Sequence, residues 1–243
     1  MKRTLKFFWM IPLSFLLLTG CEEKEELSYI VGRSTVTDID GNTYKTVIIA
    51  HPLFDMGEVE IMAENLKVTH FQDGTPIPEN QSPEEWRNGL NDHSPQFAWS
   101  HYSEEGEGQT YGVFYNWYVV SDNRGLCPAG WHVPNNEDWE RLFTILGGRG
   151  IAGGKLKSKS NLWLPPNTSA TDEAEFSSLP GGFISSGPME EEGLRGWYWT
   201  STEGPDIGQL STAYAVHTNY DNEIMGHSNQ YKSDGRNIRC VKD

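Results

Sequence analysis

Positive charge and cysteine are both scarce in this chain. Lys and Arg number 19 against 34 Asp and Glu, a formal net charge of −15 over 243 residues. A protein of that sign repels nucleic-acid phosphates and anionic membrane surfaces. Nucleic-acid binding is therefore excluded, and a solvated acidic exterior or divalent-cation binding remains. No apolar run after Leu18 is long enough to span a bilayer. There is no internal repeat, and biased composition is confined to an acidic stretch at 22–26. His51, His70, His93, His101, His132, His217 and His227 show no HxxxH or HxH spacing, so no zinc-ligand pair can be read off. Thr200-Ser201-Thr202 is no nucleophile elbow of the G-x-S-x-G type. Carboxylates are so abundant that an acid/base pair cannot be singled out from them. No reaction is legible.

What is present argues for a packed domain. Aromatics make up 12% of the residues, with 9 Trp, more packing surface than a disordered tail carries, and the length suffices for a sizeable core. Lys2, Arg3 and Lys6 precede an apolar segment, Phe7 to Leu18, too short to stay in a bilayer, so residues 1–20 read as a secretory leader. Leu18-Thr19-Gly20-Cys21 resembles the lipobox of bacterial lipoproteins. That resemblance implies acyl groups on Cys21, and several chains hold a membrane far more firmly than one. Residues 21–28 then form an acidic tether. An acid-rich stretch beside the lipidated cysteine resembles the surface-export signal of Bacteroidetes lipoproteins and equally suits a solvated spacer. The expected location is the cell envelope, lipid-anchored in the outer membrane and facing the cell surface.

An exported chain meets an oxidising compartment, where the remaining thiols, Cys127 and Cys240, most simply pair. The loop they close is long, so the chain-entropy contribution is at most about 4–5 kcal/mol. A reactive or metal-binding thiol pair is the alternative, but close CxxC spacing and His partners are missing.

The clearest helix follows Cys127. Asn135 is a good N-cap, Asp138 completes a short capping box, Trp139, Leu142, Phe143 and Leu146 share one face, and Gly147 supplies the left-handed C′ residue. A second, shorter helix starts at Pro83 behind Ser82 and stops near Gly89. Tyr29 to Ile49 reads as a β-hairpin turning at Asp40-Gly41. Asp38-x-Asp40-Gly41-Asn42 also resembles the start of a calcium loop but lacks the later acidic ligand; no cofactor is predicted, and calcium has no further support. Val59–Leu66, Trp197–Ser201, Ala213–Thr218, Glu223–Gly226 and Ile238–Val241 read as strands. Tyr111 to Val120 fits helical spacing with strand-favouring residue types, and its state is open. The glycine run Gly147 to Gly154 reads as a flexible exit from the helix rather than a phosphate cradle.

Ligand contacts are expected on loops that the framework carries. Trp197, Tyr198 and Trp199 alternate across one strand, so at least one ring is a candidate sugar-stacking platform, core packing being the fate of the others. Trp197 and Trp199, with Trp163 earlier in the same stretch and Trp99 and Tyr102 in the polar loop 91–109, are the candidate ligand-binding residues.

Several ordered strings together resemble the Fibrobacter succinogenes major paralogous domain over 29–243. They include Asp38-Ile39-Asp40-Gly41-Asn42-Thr43-Tyr44, Met62-Ala63-Glu64-Asn65-Leu66, Cys127-Pro128-Ala129-Gly130-Trp131-His132-Val133-Pro134, Trp197-Tyr198-Trp199-Thr200-Ser201-Thr202 and Arg239-Cys240-Val241-Lys242-Asp243. The chain departs from the family at Ile61, where a Trp is usual. The resemblance implies a bacterial exported or surface protein, often a lipoprotein, of undefined activity. It also implies a loop-rich α+β domain with short antiparallel strands and about two helices, distantly similar to C-type-lectin-like and formylglycine-generating folds. A glycan- or protein-binding, adhesive module is the expected function. The alternative is an envelope enzyme of sulfatase-modifying-like fold, but the closely spaced C-terminal cysteine pair of that chemistry is absent, since only Cys240 stands there.

Overall fold

A computed structural model describes residues 28–243. The leader, Cys21 and the tether up to Leu27 lie outside the described residues. The chain opens with a ribbon, β1 (Ile30–Thr37) and β2 (Thr43–Ala50), followed by β3 (Glu58–Met62) and α1 (Pro83–Asn88). Next come β4 (Phe97–Trp99), α2 (Glu107–Tyr111), β5 (Val113–Tyr115), α3 (Trp117–Val120) and β6 (Trp131–His132). Two helices, α4 (Asn136–Ile145) and α5 (Arg149–Leu156), precede the short β7 (Phe183–Ile184) and β8 (Met189–Glu190). The longer β9 (Arg195–Glu203), β10 (Thr212–Asn219) and β11 (Gly226–Tyr231) follow, and β12 (Val241–Lys242) ends the chain.

The strands form a five-stranded sheet in the order β1-β2-β3-β12-β6, a three-stranded sheet β11-β10-β9, and two small pairs, β4-β5 and β7-β8, with every strand pair antiparallel. This is the loop-rich α+β domain with short antiparallel strands that the sequence implies. The C-terminal strand is internal: Val241 lies opposite Ile61 on one side and His132 on the other. No helix among the described residues is long and apolar enough to cross a membrane.

Local chemistry accounts for the best-formed elements. The β1–β2 turn is closed by Asp38 N donating to Asn42 O at 3.0 Å, with Gly41 at φ +86°, a conformation other residues adopt with strain. The side chain of Asn135 accepts from Glu137 N and Asp138 N at 2.7 and 3.0 Å while Asp138 accepts from Asn135 N at 2.9 Å, so the capping box of α4 is complete. Trp139, Leu142, Phe143 and Ile145 turn inward from it, and Gly147 follows at φ +95°. In α1, Ser82 caps Glu85 N and Trp86 is buried without exposure.

Three readings are resolved or corrected. The glycine run forms α5 instead of a flexible exit. A Cβ at Gly153 would stand 2.8 Å from Glu223 O and one at Gly154 2.5 Å from Ser169 O, so glycines here permit close packing of a helix rather than preventing one. The aromatic run takes both states, β5 and then α3, because Asn116 between them caps Val119 N with its side chain. The strand expected at 223–226 begins only at Gly226, since Asn222 holds Ile224 N in a turn at 2.9 Å.

Two large apolar clusters fill the interior. One gathers Trp117, Trp131, Trp197 and Trp199 with Leu66 and Ile238; the other gathers Trp139, Phe143, Phe176 and Tyr198 with Ile61 and Val241. Trp197 and Trp199 enter the first and Tyr198 the second, so the β9 sheet is covered on both faces. Cys127 and Cys240 form a disulfide across 113 residues. Replacing both by Ala is expected to lower the unfolding free energy by about 2–4 kcal/mol, because the closed loop is long; urea denaturation of the oxidised protein and the double variant measures the difference.

Candidate functional site

The aromatic candidates do not assemble a stacking platform. Trp99, Trp163, Trp197 and Trp199 keep 7%, 4%, 4% and 0% of their surface. The indole N–H groups of three of them are used internally: Trp163 donates to Ser158 Oγ and Ser178 O at 3.2 Å, Trp197 to Glu191 Oε2 at 2.8 Å, and Trp199 to Tyr115 O at 2.8 Å. Tyr102 is half-buried, and its hydroxyl donates to Gly187 O. The strand alternation is real, but with a core on either side of β9 it sends every ring inward. Of the five, Trp99 borders an open cavity.

That cavity is part of a groove along the β1–β2 ribbon. A larger section of about 500 Å³ runs between the ribbon, the segment 63–67 after β3, the end of α2 and the segment 175–179. A second section of about 320 Å³ continues toward the ribbon's turn and shares Glu64, Lys67 and Gln109 with the first. These volumes lie in the range of small-ligand sites.

The floor is a buried polar network. Asn65 Nδ2 donates to Tyr111 O at 2.9 Å, and Arg239 Nε donates to Asn65 Oδ1 at 2.8 Å. The Arg239 guanidinium also donates to the carbonyls of Phe176 and Ser177. On one wall Arg33 Nε meets Glu175 Oε2 at 2.6 Å, which holds the Glu175 carboxyl below its ordinary range. Lys45 donates its backbone N–H to Glu64 Oε2 at 2.7 Å. The ammonium groups of Lys45 and Lys67 have no ion-pair partner among the described residues, so each has donors to offer.

The turn that resembles a calcium loop closes one end of the groove. Asp38 accepts from Asn42 N at 2.9 Å and from Tyr44 Oη at 2.5 Å, and Tyr44 Oη in turn accepts from Lys67 N at 2.9 Å. Asp40 accepts from Thr69 N and Oγ1 at 2.5 and 2.9 Å and pairs with His70 Nδ1 at 2.7 Å. Burial raises the Asp40 pKa, but these hydrogen bonds and the nearby His70 outweigh it and lower the value. The carboxylates thus brace the turn against the segment 67–70. Among the described residues no group of three or more His, Cys, Asp or Glu is able to hold a metal ion.

Outside the groove, titratable groups serve the fold. Lys157 is buried and its ammonium donates to the carbonyls of Thr168, Asn219 and Asn222 at 2.6, 2.7 and 3.0 Å, while burial draws its pKa down to about 8. All three of its protons are spoken for. His217 lies 4.0 Å from the ring of Trp197, in space left by Gly226, where a Cβ would stand 2.0 Å from the imidazole. Its Nδ1 has no hydrogen-bond partner, and burial, with Arg195 and Arg236 nearby, pushes its pKa down to about 3.

The groove was not legible in the sequence. Arg33, Lys67 and Gln109 carry no motif and come from three segments, while Lys45 stands in the string from Asp38 to Val47 that resembles the family. Asn65 and Arg239 do stand in strings that resemble the family, and a buried amide and guanidinium at those places are the nearest sequence signal.

A loop-rich α+β domain with an open polar groove, a covered sheet and a C-terminal disulfide defines the class of the protein. The Fibrobacter succinogenes major domain matches residues 55–242, and the chain belongs to that family. No curated protein and no solved structure matches it. The match begins after the β1–β2 ribbon, which is nonetheless bonded into the sheet through β3.

Two consequences follow from the buried polar groups. Asn65→Ala leaves Arg239 Nε without its acceptor and is expected to destabilise the domain by about 1–3 kcal/mol in urea denaturation. The folded-state pKa of His217 lies below its unfolded value near 6.5, so its stabilising effect is full above about pH 6.5 and is lost as the pH falls toward 3, with a slope of at most about 1.4 kcal/mol per pH unit. His217→Gln removes that part of the acid limb, which denaturation curves of both proteins at several pH values display.

Proposed function

We propose that this protein is an envelope lipoprotein, anchored in the outer membrane through Cys21, whose domain binds carbohydrate at the cell surface in the groove beside the β1–β2 ribbon. The observation that carries the reading is the groove itself. It is open to solvent, rests on a rigid buried floor, and presents donors on Lys45, Lys67 and Gln109 and an acceptor on Glu64 beside the indole of Trp99. Hydroxyl-rich ligands are recognised by such mixed donors and acceptors around one apolar face. The lipobox and acidic tether support the anchoring part, and the lack of a legible nucleophile or acid/base pair favours binding over turnover. A protein ligand is the nearest competing occupant.

The test is a glycan array with the soluble domain from Leu27 onward, followed by titration of any hit. Gln109→Ala combined with Lys67→Ala is expected to weaken binding about tenfold or more, equivalent to ~1.4 kcal/mol, at unchanged thermal stability. Capture of a protein ligand with no glycan bound on the array overturns the carbohydrate assignment.

A further inference from the structure

The β2–β3 loop, residues 51–57, sends large apolar side chains into solvent. Leu53 and Phe54 each keep 64% of their surface exposed and Met56 keeps 39%. The loop is held in this outward form by its own contacts. His51 Nδ1 accepts from the backbone N–H groups of Leu53 and Phe54 at 3.1 and 3.2 Å, and its ring lies 4.8 Å from Phe54 and 6.0 Å from Tyr29. Adjacent exposed apolar groups on a braced loop mark an interaction surface rather than scattered surface hydrophobes.

Its position specifies the partner. Ala50 N donates to Tyr29 O at 2.9 Å, so the loop springs from the point at which the chain enters the domain. Val31, 58% exposed, lies on the same end of the ribbon. Seven residues separate Cys21 from Tyr29, a reach of at most about 29 Å when extended. An anchor on Cys21 therefore keeps the loop within a short distance of the bilayer at all times, where even weak partitioning is effective through a high local concentration. The other end of the ribbon, with Ile39 at the Asp40-Gly41 turn, is about 26 Å away along β2. Asp55 stands between Phe54 and Met56 and Glu58 follows them, so a zwitterionic surface suits the loop better than an anionic one.

We propose that Leu53, Phe54 and Met56 insert into the interfacial region of the membrane that carries the anchor, fixing the domain with the β1–β2 turn pointing away from the lipid. This rests on the anchoring part of the reading above and is independent of what the groove binds.

The test uses the acylated full chain, purified without reductant and reconstituted in phosphatidylcholine vesicles. An environment-sensitive fluorophore is attached through Phe54→Cys or, in a second protein, Ile39→Cys. The expected result is a blue shift and loss of emission to nitroxide-labelled lipid at position 54, with neither at position 39. Adding Leu53→Ser and Met56→Ser is expected to abolish the shift at 54 while the protein stays vesicle-bound. Equal emission at both positions, or a water-like signal at 54 from protein whose Cys21 is acylated by mass spectrometry, overturns the insertion. Protein that carries no acyl groups on Cys21 overturns the anchoring reading, and the proposal falls with it.

Discussion

The last nine residues form a seam on which the other layers close. Gly235 exchanges hydrogen bonds with Ile184 at 2.9 Å, and Arg236 exchanges bonds with Tyr115 at 2.9 and 3.0 Å. Asn237 O accepts from Trp199 N, and its side chain donates to Tyr111 O and Val113 O. Leu66 N and Met62 N donate to Ile238 O and Cys240 O, and Val241 joins β3 to β6. One extended segment thereby supplies the missing partners of β5, β7, β9, β3 and β6. Buried backbone groups without partners are expensive in free energy, so none of these elements is complete without it.

The same segment places two guanidinium groups in the interior. Arg236 is fully buried, 4.6 Å from the ring of Trp199 and 5.0 Å from that of Trp197, and its charge is met by Asp234 at 3.2 Å. Arg239 has carbonyl and amide acceptors instead. Burial lowers the pKa of both, but with so many acceptors and π-faces around them they remain cations. The tryptophans of β9 are thus walls for a buried charge as well as core. That explains why a strand so rich in aromatics leaves no ring exposed for a ligand.

Features set by near neighbours were readable from the chain. The α4 helix follows from Asn135, Asp138 and a period of apolar residues and the ribbon turn from Asp40-Gly41; the disulfide, a distant pairing, is the exception, legible because two thiols remain after Cys21. Features set by distant partners were not. The glycines of α5 read as a flexible exit until the backbone at Glu223 is seen against them. The fates of Trp197 and Trp199 depended on which faces are covered, and period-2 alternation cannot distinguish a sheet with one solvated face from one packed on both. The groove joins residues from both ends of the chain, which no local pattern encodes.

A seam at the C-terminus also orders events in time. Ile238 and Cys240 belong to one large apolar cluster and Val241 to the other, so neither core is whole while the chain is still being made. Contacts of such long sequence separation form late and slowly. A chain of this design can close neither core until residues 238–241 are available, so completion of the whole domain waits on that one segment.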